Sequence, residues 1–186
     1  MMTYPKYRAL VETLVEEGKS TGTTQSEALT QYSLLNNKRM QRLDKKGILN
    51  DAVIERVKGY NKPVEWIVLT ESWCGDAAQV LPYVNKIASL NENIDLKIAL
   101  RDEHLDLMDE HLTNGGRSIP KLIMRDKETK EVLNTFGPRP SEATKMVEEY
   151  KNTYGTLTPE FKKDLQIWYT KDKGQNAVKD LVSLLA

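Results

Sequence analysis

One residue in the chain can act as a strong nucleophile. Cys74 is the only cysteine, and it sits in Trp73-Cys74-Gly75-Asp76-Ala77, directly after a β-branched apolar run and directly before a helical one. A thiol at a strand-to-helix turn faces unpaired amide N–H groups and the positive end of the helix dipole, which favour thiolate. Asp76 acts the other way. At a separation of about 6 Å its carboxylate opposes the thiolate by about 0.7 to 3 kcal/mol across effective dielectric constants of about 80 to 20, against roughly 0.3 to 2 kcal/mol from the helix end. The two ranges overlap, so charge alone leaves the acidity of Cys74 open. With a single cysteine no intrachain disulfide can form, and any disulfide chemistry needs a second thiol from outside. The bland alternative is a small buried apolar residue retained for packing.

Two other clusters invite chemistry. Asp102-Glu103-His104 and Asp109-Glu110-His111 combine imidazole with carboxylate. On one helix, however, their seven-residue spacing separates the histidines by ~10.5 Å along the axis, too far for one ion, and a solvated helix face is the simpler account. No metal site is expected. Gly115-Gly116 lacks the Lys-Ser/Thr that a phosphate loop requires.

The elements that must position Cys74 are legible from periodicity. Tyr7, Leu10, Val11, Leu14 and Val15 recur at helical spacing before Gly18. A second helical run spans about Ser26 to Lys46, and Asp51–Val57 forms a short third helix before Gly59. Val64–Thr70 is short, β-branched and mostly apolar, as a strand covered on both faces should be. Val80, Leu81, Val84, Ile87 and Ala88 mark a helix, and Ile94–Leu100 alternates with period two. Such a strand–helix–strand unit is right-handed with parallel strands.

Leu105, Met108 and Leu112 predict a further helix ending at Asn114-Gly115. Lys121–Arg125 and Glu131–Phe136 flank a polar turn and read as a hairpin. Helices follow over Ser141–Lys151, from Thr158-Pro159-Glu160 onward, and after Gly174.

The order β, α, β, α, β, β, α between Val64 and Lys151 resembles the thioredoxin family, and so do the residues. Trp73-Cys74-Gly75 matches the start of its Trp-Cys-Gly-Pro-Cys motif, Pro82 lies where that family kinks its active-site helix, Ser118-Ile119-Pro120 precedes a strand as its cis-proline loop does, and Gly137 follows the last strand. The resemblance implies an α/β thioredoxin-like fold: a central mixed sheet with flanking helices over 63–152, and additional helical extensions over 1–62 and 153–186.

It implies Cys74 as nucleophile, Asp76 as a candidate proton carrier, and Trp73, Gly75, Ala77, Ile119 and Pro120 as the substrate platform. Departures limit the chemistry. Ala77 stands where the family has its resolving cysteine, Asp76 replaces the motif proline, and Val68 replaces the family's buried aspartate. A dithiol cycle is excluded, leaving monothiol exchange with a protein disulfide or a low-molecular-weight thiol such as glutathione. Arg139 and Lys121 are candidate holders of such an anionic thiol. No resident cofactor is expected, and the Cys-Gly-Phe-Ser motif of cluster-binding monothiol glutaredoxins is absent. The alternative is a non-catalytic binding module using the groove between 74–77 and 118–120.

The bulk numbers narrow the setting. At 186 residues the chain suits one sizeable core with additions. Lys+Arg and Asp+Glu both total 27, which removes the overall attraction for nucleic acid or an anionic membrane. With no membrane-length apolar run and no secretory pattern in Met1–Ser20, a cytoplasmic location is expected.

Overall fold

The computed structural model describes residues 1–186. Eight helices and four strands follow in the order α1 (Tyr4–Glu16), α2 (Glu27–Lys46), α3 (Asp51–Lys58), β1 (Val64–Thr70), α4 (Gly75–Ala88), β2 (Ile94–Leu100), α5 (Leu105–Asp109), β3 (Lys121–Asp126), β4 (Val132–Phe136), α6 (Ser141–Tyr154), α7 (Pro159–Asp172) and α8 (Gln175–Ser183). No helix is long and apolar enough to cross a membrane.

The four strands form one mixed sheet in the order β2-β1-β3-β4. β1 runs parallel to β2 and antiparallel to β3, and β4 pairs antiparallel with β3. Every residue of β1 is buried, which is what its continuous apolar, β-branched composition demands of an inner strand. Its one acid, Glu65, is matched across the sheet by Lys97 of β2 and Arg125 of β3. The period-two alternation expected of β2 does not hold. Ile98, Ala99 and Leu100 are all buried because the N-terminal segment adds a bridge at Met2 to the outer edge of β2, and α1 packs beside it.

A second departure lies after β2. The single helix expected around Leu105–Leu112 is replaced by a 3₁₀ turn over Arg101–Glu103 and the five-residue α5. His104 precedes α5 and His111 follows its end, so the two histidines do not share a helix. The ring of His104 lies instead 3.0 Å from the Leu100 carbonyl. The segment beyond α5 is drawn off the helical path by a bridge between Thr113 and Gly116 and by the two-pronged ion pair of Arg117 with Asp109.

One apolar cluster runs from Tyr4 to Leu185 and binds the terminal helices to the sheet. α2 packs along α4, while α8 contacts α3, α4 and α6. Four helices begin at side-chain oxygens, those of Thr3, Ser26, Asn50 and Thr158, each accepting an N–H three residues on. α4 begins at a sulfur, that of Cys74.

The end of β4 is held against the loop before β3 by Gly137. Its φ of +112° is reached easily only by glycine, and a Cβ there would sit 2.1 Å from the Pro120 carbonyl oxygen. Gly137→Ala is therefore expected to destabilise the protein by about 3 kcal/mol or more in urea unfolding, through backbone strain and overpacking together. A loss under about 1 kcal/mol would show that the loop moves aside at little cost.

Candidate functional site

Backbone connectivity brings three segments together: the 71–77 turn from β1 into α4, the 118–120 loop before β3, and α7 from the C-terminal region. The turn is anchored first by Ser72. Its hydroxyl meets Thr21 N–H at 2.9 Å and the Ser33 hydroxyl at 2.7 Å, its own N–H donates to Thr21 Oγ1, and its carbonyl accepts from Asn36 Nδ2 at 3.0 Å. All four side chains are buried. This polar knot ties α2 to the residues just before Cys74, and reading along the chain missed it because its members are up to 51 positions apart. The short polar residues Thr21, Ser33 and Asn36 at otherwise core-facing positions were the available signal.

Cys74 is buried at 8% exposure. Its Sγ accepts the Ala77 N–H at 3.4 Å, as an N-cap should, and donates to the Ile119 carbonyl at 3.3 Å. The Ile119–Pro120 peptide is cis. The structure therefore brings Cys74, Ala77 and Ile119 into direct contact, with Pro120 next to them and buried. Burial, followed by the Asp76 carboxylate, pushes the thiol up to about 12, against the pull of the Ala77 and Asp76 N–H groups and of Arg139. Desolvation decides the balance that charge alone left open.

Asp76 is itself buried, at 9% exposure. Its Oδ1 accepts the Tyr169 hydroxyl at 2.8 Å, and its Oδ2 pairs with the Arg139 guanidinium at 3.0 Å. Burial pushes its carboxyl upward while Arg139 and Tyr169 pull it down, and the upward effect wins. Arg139 is thus committed to Asp76 rather than open to an anionic thiol. Lys121 is buried at 6% exposure, and burial lowers the pKa of its ammonium.

Trp73 is half-buried, with the Arg101 guanidinium 5.0 Å from its ring centre, a cation–π distance. Gly75 faces α7 and α2: a Cβ there would lie 3.1 Å from Gln166 Nε2 and 3.6 Å from Arg39 Nη1.

α7 is the element that sequence reading left without a role at the site. Tyr169 reaches Asp76, Gln166 accepts from Gln79 at 3.0 Å, and Lys173 just beyond accepts the Tyr83 hydroxyl at 2.6 Å. Two contacts of α7 and one of the residue that ends it therefore run along α4 from Asp76 to Tyr83. The arrangement offers one sulfur with an amide on it, a carboxylate held at both oxygens, and a backbone carbonyl beside a cis proline. It can hold a thiol neutral, and it can present that thiol to a disulfide once the sulfur exchanges the Ile119 carbonyl for a substrate.

Known proteins agree with this architecture. The crystal structure of a protein of unknown function from Pseudomonas aeruginosa superposes with a TM-score of 0.63 at 19% identity, over 100% of this chain and 98% of that one. The crystal structure of an HIV epitope-scaffold superposes with a TM-score of 0.60 at 18% identity, over 99% and 98% of the two chains. At such identities the likeness speaks for the fold. No curated protein matches the chain in sequence. The family model described as thioredoxin matches residues 22–151, taking in α2 and α3 as well as the sheet and α4 to α6. That match spans well over half of the sequence, and by it the chain belongs to the thioredoxin family.

Proposed function

We propose that this protein performs thiol–disulfide exchange through Cys74 alone, with the second thiol supplied by a partner protein or by a low-molecular-weight thiol such as glutathione. The observation that carries the reading is the seating of Sγ between the Ala77 N–H and the Ile119 carbonyl, at a helix start and beside a cis proline. In the forward step the Cys74 thiolate attacks one sulfur of a disulfide. A new S–S bond forms to Cys74, the old one breaks, and the departing thiolate takes up a proton. An external thiolate then attacks the mixed disulfide and releases Cys74. No resident cofactor enters either step. Asp76, its oxygens fixed by Tyr169 and Arg139, takes the thiol proton, while Trp73, Gly75, Ala77, Ile119 and Pro120 line the place of the incoming disulfide. A cytoplasmic setting supplies the reducing thiols such a cycle consumes.

A second reading, a non-catalytic binding module, is favoured by one observation: the thiol donates to the very carbonyl a substrate strand would use, and burial favours its neutral form. Treating the native protein with glutathione disulfide separates the two. Exchange predicts a mixed disulfide on Cys74 that added glutathione removes, and none on Cys74→Ser. Absence of the adduct up to pH 10 sinks the exchange reading and leaves the binding module.

The thiol also sets a pH dependence. With the native value at about 12, the thiolate fraction at pH 7 is on the order of 10⁻⁵, against a few per cent for a free cysteine. Iodoacetamide should therefore alkylate the native chain about 10³-fold more slowly than the urea-unfolded chain. Because the folded value lies above the unfolded one, the burial of neutral Cys74 favours folding fully below about pH 8.5, and that contribution is lost as pH rises toward 12. Asp76→Asn removes the second cause of the rise, so native alkylation should speed up by about tenfold for each unit the thiol falls. A native alkylation midpoint at or below that of the unfolded chain would overturn this account.

A further inference from the structure

We propose that the groove between α2 and α7 binds a small molecule carrying two or more phosphate groups. The groove encloses about 580 Å³, within the range of roughly 300–1,000 Å³ typical of small-molecule sites. Lys38, Arg39 and Arg42 line it from α2, and Lys163 and Lys171 line it from α7. No carboxylate lines it, and none of the five cations takes part in an ion pair. The whole chain carries equal numbers of acidic and basic residues, so five positive charges on the walls of one concavity are a local excess.

Solvated helix faces ordinarily interleave both signs at i, i+4 spacing, which stabilises the helix by a few tenths of a kcal/mol per pair. On the α2 wall the opposite choice is made, Lys38 and Arg42 standing four residues apart, and on the α7 wall Lys163 and Lys171 flank Ile167 with no acid among the lining residues. Arg39 is half-buried, its one hydrogen bond is to Asn36 Oδ1 at 2.8 Å, and burial, followed by Arg42, disfavours its charge, which the Asp76 carboxylate offsets only in part. An anion in the groove relieves that crowding.

The chemistry of the walls selects the class of anion. Two guanidiniums offer planar, forked donors that match phosphate oxygens in pairs, and three ammonium groups add mobile point charges. A single carboxylate neutralises one charge in five, whereas a diphosphate balances most of them. Leu35 and Ile167 stand on the same walls, exposed at 45% and 42%, and offer an apolar surface for a ring attached to the phosphates. The paired amides of Gln79 and Gln166 lie between the two walls. The groove adjoins the 74–77 turn at Gly75, which Arg39 and Gln166 flank. Its occupancy does not require exchange at Cys74.

Isothermal titration of the full chain with inorganic pyrophosphate, ADP and AMP at low ionic strength tests the site. Pyrophosphate and ADP should bind saturably at one site per chain, more tightly than AMP. Arg42→Glu and Lys163→Glu should each lower the affinity by about tenfold or more, while Lys145→Glu, on the exposed face of α6, should leave it unchanged. Cys74→Ser should bind as the native chain does, which keeps this site separate from the exchange reading. ADP binding more tightly than pyrophosphate supports a role for Leu35 and Ile167, and equal binding supports the cations alone. The proposal is overturned if pyrophosphate fails to saturate, if the two groove variants, folded by their melting temperatures, bind like the native chain, or if Lys145→Glu weakens binding as much as they do.

Discussion

The site depends on the removal of water from the turn between β1 and α4. One sulfur caps a helix, closes onto the carbonyl of a loop 45 residues away, and is covered on the way. Every other feature of the site either builds that enclosure or answers for it. The Ser72 knot fixes the approach from β1, Gly137 lets the chain leave β4 close to the Pro120 carbonyl, and α7 lies along the start of α4. In a dry setting a lone carboxylate is costly, so Asp76 is held at both oxygens. A lone thiolate is costly too, and the protein meets that cost by keeping the thiol protonated.

This explains why comparing the helix dipole with the Asp76 charge could not decide the state of Cys74. Both are interactions of a few kcal/mol or less, and both were legible from the order of residues. The deciding contribution is desolvation, a property of packing that requires α2, the 118–120 loop and α7 to be in place. No window of sequence around Cys74 contains them.

The same division runs through the fold. β1 was legible from its continuous β-branched run, α4 from its helical apolar stripe and the hairpin of β3 and β4 from the polar turn between two short runs, and caps at Ser26 and Thr158 mark helix starts by local hydrogen bonding alone. The helix over Leu105–Leu112 was misread because Leu112 completes an apolar spacing that the Arg117–Asp109 pair and the Thr113–Gly116 bridge then override. The alternation in β2 misled because a strand is half-exposed only where one face stays open, and at the end of β2 α1 packs beside the strand while Met2 bridges Ile98. At the candidate site, Cys74, Ile119 and Pro120 were legible as a constellation, whereas Tyr169 was not, since its pairing with Asp76 spans 93 residues.

The single thiol is consistent with this enclosure. Ala77 stands where the thioredoxin family keeps its resolving cysteine, is itself buried, and spends its N–H on the sulfur of Cys74. A thiol at that position would have to be walled in beside the first, in a pocket that already raises thiol pKa values, and there it would be a poor attacker of a mixed disulfide. Val68, fully buried in β1, likewise offers no proton acceptor to such a group. An internal resolving step and a tightly covered turn at the start of α4 therefore work against each other. With α7 laid along the start of α4, the chain covers its one thiol, and it holds no second cysteine that could attack a mixed disulfide there.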